Sequence, residues 1–369
     1  MLRNDAPQDM ASYVREHRRQ TGNPAVKENG MTLRQSRSFL GAVAQARSQA
    51  EKPFPFMVEA AGRESLTDYI ASAKPMIERL LVEHGAILFR GFAVSEATDF
   101  SAALAQLEPN ILTYTERSSP RTAVAEKVYT STDHPAHQKI AMHSEQSYTL
   151  NWPCLISFFC RKKAASGGNT PIADNRKILS ALSEPLRSKF LEYGVMYRRV
   201  YTPGLGIDWR TAFQTEDKAT VEAFCESRGI SLTWEDDDRL RTTQLRSAFQ
   251  KHPVTGELVW FNHALFFHVT SLEPGLAEAL IDAVGLQNVP TNTCFGNGEA
   301  FSADDLALLR GAVDEATVEF DWQGGDILLL DNMLSQHGRD SFTGEREVLT
   351  LMAGPYADRA APLRAPHQG

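Results

Sequence analysis

Two histidines and a glutamate carry the first chemical signal in the sequence. The segment AMHSEQSY sets His143 and Glu145 two positions apart, and residues i and i+2 of an extended strand point to the same face. An imidazole nitrogen and a carboxylate oxygen can then be aimed at one point. A third ligand, His337, is supplied by DNMLSQHGR, directly after the apolar run DILLLDN. Two histidines and one carboxylate on one face of an octahedron form the ligand set of non-haem Fe(II) oxygenases, whose open positions admit co-substrate and dioxygen. The same side chains would also suit a zinc hydrolase. An isolated His-x-Glu is a common pattern in a chain with ten histidines, so the assignment needs support from elsewhere. His84, His134, His137, His252 and His367 read as structural or surface residues, and His263 and His268 are left open.

The support comes from an arginine and a threonine. Arg346 lies nine residues beyond His337, at the start of REVLTLMAG. A guanidinium can clamp a carboxylate through two parallel hydrogen bonds, which suits a dicarboxylate chelating the metal at its other end. A surface ion pair with Glu345 or Glu347 is the bland reading of the same residue. In SGGNTPIADNRKIL, Gly167 and Gly168 permit tight backbone geometry, and the Thr170 hydroxyl could donate to that distal carboxylate. Alone, this segment is only a turn.

The elements that must position these groups follow from apolar periodicity. Residues 65–84 fit a helical period with Gly85 as the stop signal. AILFRGF (86–92) reads as a buried strand, and a second helix is expected over 95–107. Strand-like runs dominate the rest: LISFFC (155–160), VMYRRVY (195–201), LVWFNHALFFHV (258–269), DILLLDN (326–332) and VLTLMAG (348–354). Residues 217–229 and 273–285 look like helical insertions. The expected fold is mainly β with flanking helices (α+β), a jelly roll in which two sheets face each other. Residues 1–52 are polar and read as an N-terminal extension, followed by a single domain over 53–369 with helical insertions.

Composition narrows the partners. A net charge of −8 argues against a nucleic-acid binder. No apolar stretch approaches the roughly 20 residues that span a bilayer, and the N-terminal residues lack a secretory core. The expectation is a cytoplasmic chain with no membrane partner. Cys154, Cys160, Cys225 and Cys294 form no CxxC pair and read as reduced thiols.

Taken together, GAILFRGF, VYTSTDHP, HSEQSYTLNWP, GGNTPIADNR, WFNHALFFH and GDILLLDNMLSQHGR followed by Arg346 resemble the TauD/TfdA family of Fe(II)/2-oxoglutarate-dependent dioxygenases. The match runs from about Phe56 to Tyr356, and HSEQSY with VYTSTDHP looks closest to the SyrP-like branch, associated with amino-acid hydroxylation in peptide natural-product pathways. The resemblance implies a double-stranded β-helix of the clavaminate synthase-like type, with Fe(II) as cofactor and 2-oxoglutarate and dioxygen as co-substrates. It implies His143, Glu145 and His337 as metal ligands and Arg346 and Thr170 as 2-oxoglutarate ligands. The carboxylate ligand is Glu145, where the taurine enzyme type has Asp. Arg346 also comes earlier than the arginine of many members, at whose place this chain has Thr350. Arg339 is the other nearby arginine, but sits close behind His337.

The implied reaction is hydroxylation of an unactivated C–H bond in a small molecule, an amino acid or an amino-acid derivative, free or tethered to a peptidyl carrier protein. Desaturation or epoxidation is the alternative within the family, and a metal-binding jelly roll without oxygenase activity the alternative outside it. Glu145 argues against halogenation, which needs a small residue there. Tyr129, Ser131, Thr132, Gln146, Asn262 and His268 are candidates to hydrogen-bond a polar substrate, and Arg121 or Arg339 to pair with a substrate carboxylate. Trp260, Phe261, Phe266 and Phe267 are expected in the core, with one or two forming a pocket wall. Exposed strands make a homo-oligomer an open expectation.

Overall fold

The computed structural model describes residues 52–113, 122–132 and 134–358. The expected extension, except its last residue, and Arg121 lie outside them. Leu66–His84 is helical as the periodicity predicts: the Ser65 side chain caps its start by accepting from the Asp68 N–H, and Gly85 ends it at φ 79°, a conformation that costs glycine nothing. A second helix covers Ala97–Leu107.

A seven-stranded sheet forms the body. Its order is Phe56–Glu59, Ala86–Arg90, Ile327–Asp331, Asn151–Lys162, Glu347–Ala357, Val128–Thr130, Ala123–Ala125. Only the first pair is parallel. Alternation along each strand explains why the runs are apolar throughout. Ile327 and Leu329 face the two helices with Ile87, Phe89 and Phe159. Leu328 and Leu330 face the other way, packing with Leu88, Ile156 and Phe158. Against that inner face lies a four-stranded sheet in the order Thr317–Val318, Ile172–Asp174, Ser335–Arg339, Ile140–His143. The two facing sheets are the expected jelly roll, without a closed barrel among the described residues.

A further four-stranded sheet, Ile230–Trp234, Leu240–Arg246, Val195–Tyr201, Thr291–Phe295, is inserted between the strands of the roll. Its Tyr197 and Phe295 share a core with Tyr148, Trp260, Phe267 and the helix Ala303–Ala316. The insertion helices form over Lys218–Ser227 and Pro274–Val284. Those over Asn175–Ala181, Glu184–Tyr193 and Ala303–Ala316 were not expected.

One strand expectation fails. Of residues 258–269, only Leu258–Trp260 is strand. The Asn262 side chain accepts from the Ala264 N–H at 2.8 Å and donates to the Ala248 carbonyl at 2.8 Å. This side-chain turn outcompetes the ladder, and Phe261–Phe267 coils back into the core. No helix among the described residues is long and apolar enough to cross a membrane.

Leu329 is fully buried between sheet and helices. Leu329→Ala should lower unfolding free energy by about 2–5 kcal/mol, read by denaturant titration. A loss below 1 kcal/mol would show that the layer repacks freely.

Candidate metal centre

The two histidines are brought together by strand register. His337 sits directly opposite His143 across an antiparallel pair, and side chains of such partners share a face. Their ring centroids are 4.4 Å apart. The pairing shifts between His337 and Arg339, and Gly338 lies at that irregularity. A Cβ on Gly338 would meet the Ile140 carbonyl oxygen at 2.8 Å, so only glycine lets the strands approach so closely.

Glu145 arrives differently from the sequence expectation. The strand ends at His143, and Glu145 occupies the following turn rather than the next inward strand position. Asn332 fixes it there. The Asn332 side chain accepts from the Glu145 N–H at 2.7 Å and donates to the Glu145 carbonyl at 2.9 Å, and also to the Pro153 carbonyl at 2.9 Å. One amide thus replaces the ladder bonds Glu145 forgoes. The turn bearing Asn332 is fastened in turn. Asp331 accepts from the Met333 and Leu334 N–H groups and is 3.0 Å from His252 Nε2. Ser335 donates to the Gly85 carbonyl, and Ser144 to the Ser335 carbonyl.

Ligand atoms of His143, Glu145 and His337 all lie within 4.8 Å of one another, and all three residues are buried. This donor set fits a divalent metal. His143 Nδ1 is 2.9 Å from the Ala141 carbonyl, which assigns the proton to Nδ1 and leaves Nε2 as the donor to a metal. Phe266 stacks 4.5 Å from His143 and Phe158 4.9 Å from His337. His263 lies beyond, its ring 5.6 Å from that of His143. Burial, then the neighbouring His143 and Arg199, hold its imidazole well below the usual histidine range, so it is neutral.

The cavity beside the histidines is lined by Ser131, Thr132, Thr170, Arg339 and Arg346, among others. Arg346 donates from Nε to the Gly168 carbonyl at 2.8 Å, and lies 3.3 Å from Ser131 Oγ and 3.4 Å from Thr170 Oγ1. Gly168 adopts φ +72°, and a Cβ there would meet Arg346 Cδ at 2.9 Å. Trp322 Nε1 also donates to Thr170 Oγ1, at 3.1 Å. With two donors on its oxygen, the Thr170 hydroxyl has its own proton left to give. Burial, then the nearby Arg339, push the Arg346 guanidinium down to about 10. It stays charged at neutral pH, and a carboxylate would relieve that strain.

The remaining candidates separate clearly. Arg339 donates to the His134, Pro135 and Gln138 carbonyls, bracing that segment of the cavity rim. Tyr129 packs in the core between the sheets and does not line this cavity, whereas Ser131 and Thr132 do. Thr132 Oγ1 accepts from the His134 N–H. The amide of Asn262 is committed to backbone at both ends. Gln146 takes a left-handed φ of 55° in the turn after Glu145, and its carbonyl accepts from Thr149. His268 caps a short helical turn at Thr270. Thr350 donates to the Ser157 carbonyl inside the sheet. Sequence reasoning missed Asn332 and Trp322. The dipeptide Asp331-Asn332 after an apolar strand was the signal for a turn, but nothing in it pointed to Glu145.

A jelly roll that converges two histidines and a carboxylate on one face, with a half-buried arginine lining the same cavity, is the layout of a non-haem iron oxygenase. The family model for the taurine catabolism dioxygenase TauD, TfdA family, matches residues 50–352, and the chain belongs to this family of 2-oxoglutarate-dependent dioxygenases. It is 39% identical over 303 residues to the dapdiamide synthesis protein DdaC of Enterobacter agglomerans, covering 82% of this chain and 92% of that one. It is 28% identical over 330 residues to a clavaminate synthase-like protein of Arabidopsis thaliana, covering 84% and 96%. Among solved structures, PvcB of Pseudomonas aeruginosa superposes with a TM-score of 0.51 at 14% identity, covering 85% of this chain and 91% of that one.

Asn332→Ala should weaken Fe(II) affinity by about 10–100-fold, the usual effect of removing a group that orients a metal ligand. Anaerobic titration of the folded variant measures it, and an unchanged affinity would show that Glu145 holds its place unaided.

Proposed function

We propose that the chain hydroxylates an unactivated C–H bond of an amino acid or amino-acid-derived small molecule in natural-product biosynthesis. His143, Glu145 and His337 hold Fe(II), and Arg346 and Thr170 hold the distal carboxylate of 2-oxoglutarate. The observation that carries this reading is the cross-strand His143–His337 pair, joined by Glu145 and opening onto the same cavity as Arg346. A relative named for dapdiamide synthesis supports the biosynthetic role. The reading extends to a substrate borne by a peptidyl carrier protein and to a cytoplasmic enzyme.

A ferrous ion with bound 2-oxoglutarate supplies the oxygen activation that breaks such a bond. The protein's residues do the rest. His143, Glu145 and His337 would hold the ferrous ion through two imidazole nitrogens and one carboxylate, a set that would leave room for co-substrate and dioxygen. Arg346 neutralises the distal carboxylate, and Thr170, its oxygen saturated by Trp322 and Arg346, donates its proton to the same group. Phe158 and Phe266 cover the imidazole faces and keep water from them. Ser131 and Thr132 sit on the cavity wall where a polar substrate group can be oriented.

Anaerobic Fe(II) plus 2-oxoglutarate should give a weak visible charge-transfer band. Air should then couple succinate release to a one-oxygen mass gain in a screen of amino acids and aminoacyl-carrier thioesters. Absence of the band, or turnover that needs no oxygen, would defeat the proposal. Arg346→Ala should weaken 2-oxoglutarate binding about 10–100-fold while Fe(II) binding persists. Retention of wild-type 2-oxoglutarate affinity would remove Arg346 from the site.

A further inference from the structure

A second and larger cavity, of about 290 Å³, lies on the inserted sheet. Its floor is built by strand alternation. Tyr197, Arg199 and Tyr201 share one face of their strand, and Thr242 and Gln244 of the neighbouring strand pair opposite Arg199 and Tyr197. Arg199, Tyr201, Thr242 and Gln244 line the cavity, and Phe213 and Phe224 from two helices close it.

The guanidinium of Arg199 has no hydrogen-bond or ion-pair partner among the described residues, and its Nε is buried. It lies over two rings, Tyr201 at 4.9 Å and Phe267 at 5.7 Å. Arg228 adds a second positive charge to the lining. Among the described residues that line the cavity, none carries a carboxylate. A charged group facing a cavity whose lining offers hydrogen-bonding groups but no counter-charge calls for an anion.

The cavity adjoins the metal centre. Tyr148 lines it, and the Tyr148 ring packs 4.8 Å from His263, which packs 5.6 Å from His143. The Gln244 side chain donates to the Tyr148 carbonyl at 3.0 Å, which ties this wall to the inserted sheet. Two rings in series, Tyr148 and His263, therefore stand between this cavity and His143.

We infer that this cavity binds an organic acid with an apolar or aromatic arm, with Arg199 as the anion partner and the surrounding rings holding the arm. The site goes beyond the oxygenase reading above and is separate from the cavity at Arg346, with which it shares no lining residue.

The test uses the full-length enzyme under anaerobic conditions, loaded with Fe(II) and saturating 2-oxoglutarate so that the Arg346 site is filled. The probes are 3-phenylpropionate and its neutral analogue 3-phenylpropanamide, titrated calorimetrically. The acid should bind about tenfold or more tightly than the amide. Arg199→Met should abolish that preference, and Arg199→Lys should restore part of it, with the charge-transfer band intact in both. Failure of the acid to bind, equal affinity for acid and amide, or the same preference in Arg199→Met would overturn the inference. Lack of the band in the unmodified enzyme would instead overturn the oxygenase reading. The acid–amide comparison in the unmodified enzyme stands even if a variant does not fold.

Discussion

The register that sets His143 opposite His337 is the constraint on which the rest depends. Side chains alternate faces along a strand, so a slip of one residue would turn either imidazole into the opposite layer. What pins the register is remote from the histidines. Leu328 and Leu330 must face the inner sheet while Ile327 and Leu329 face the helices. A slip in the strand that leads into Ser335–Arg339 would leave every one of these side chains facing the wrong layer. The hydrophobic alternation of the large sheet thereby fixes the distance between two metal ligands.

The third ligand is held by polar rather than apolar means. Ser144, Asn175, Asp331, Asn332 and Ser335 are all buried, and they bond to one another or to backbone around the turn that carries Asn332. Asn175 connects its helix to this network through Ser144 and the Met333 carbonyl. Buried polar groups are costly when unpaired, so the network tolerates few geometries. That intolerance keeps Glu145 within reach of the histidines although it lies outside the strand. Four cysteines are buried elsewhere in the described structure, and burial pushes the Cys160 and Cys225 thiols up to about 12. None of the four belongs to the cluster formed by His143, Glu145 and His337.

Much of this was legible in the sequence because the relevant signals are local. The helix Leu66–His84 has its apolar period, its Ser65 cap and Gly85. The run Ile327–Leu330 is apolar at every position because both its faces are covered. His143, Glu145 and His337 could be named as candidate ligands from residue type and spacing, and Arg346 and Thr170 as candidates that line the cavity beside the histidines. The reason given for Glu145 was incomplete, since the clamp that places it comes from Asn332, 187 residues away, and no local pattern reports such a partner. Asn262 was misjudged for the converse reason. A buried asparagine in an aromatic-rich run can serve ligand or backbone equally well, and here the backbone takes both ends. The strand reading of 258–269 failed with it. Arg199 stood inside a correctly read strand, but its lack of a counter-charge is a property of three-dimensional neighbours.

The order of strands in the large sheet bears on how the protein is made. Ile327–Asp331 inserts between Ala86–Arg90 and Asn151–Lys162, so two early strands must wait for a late one before either is fully paired. On the ribosome, the first half of the chain emerges with open strand edges and an uncovered apolar face, a state prone to aggregation. His337 is translated only after that wait ends. Iron capture therefore comes late in the making of the chain, after the strand that joins the two early ones, and slow folding is the natural consequence of such long-range pairing.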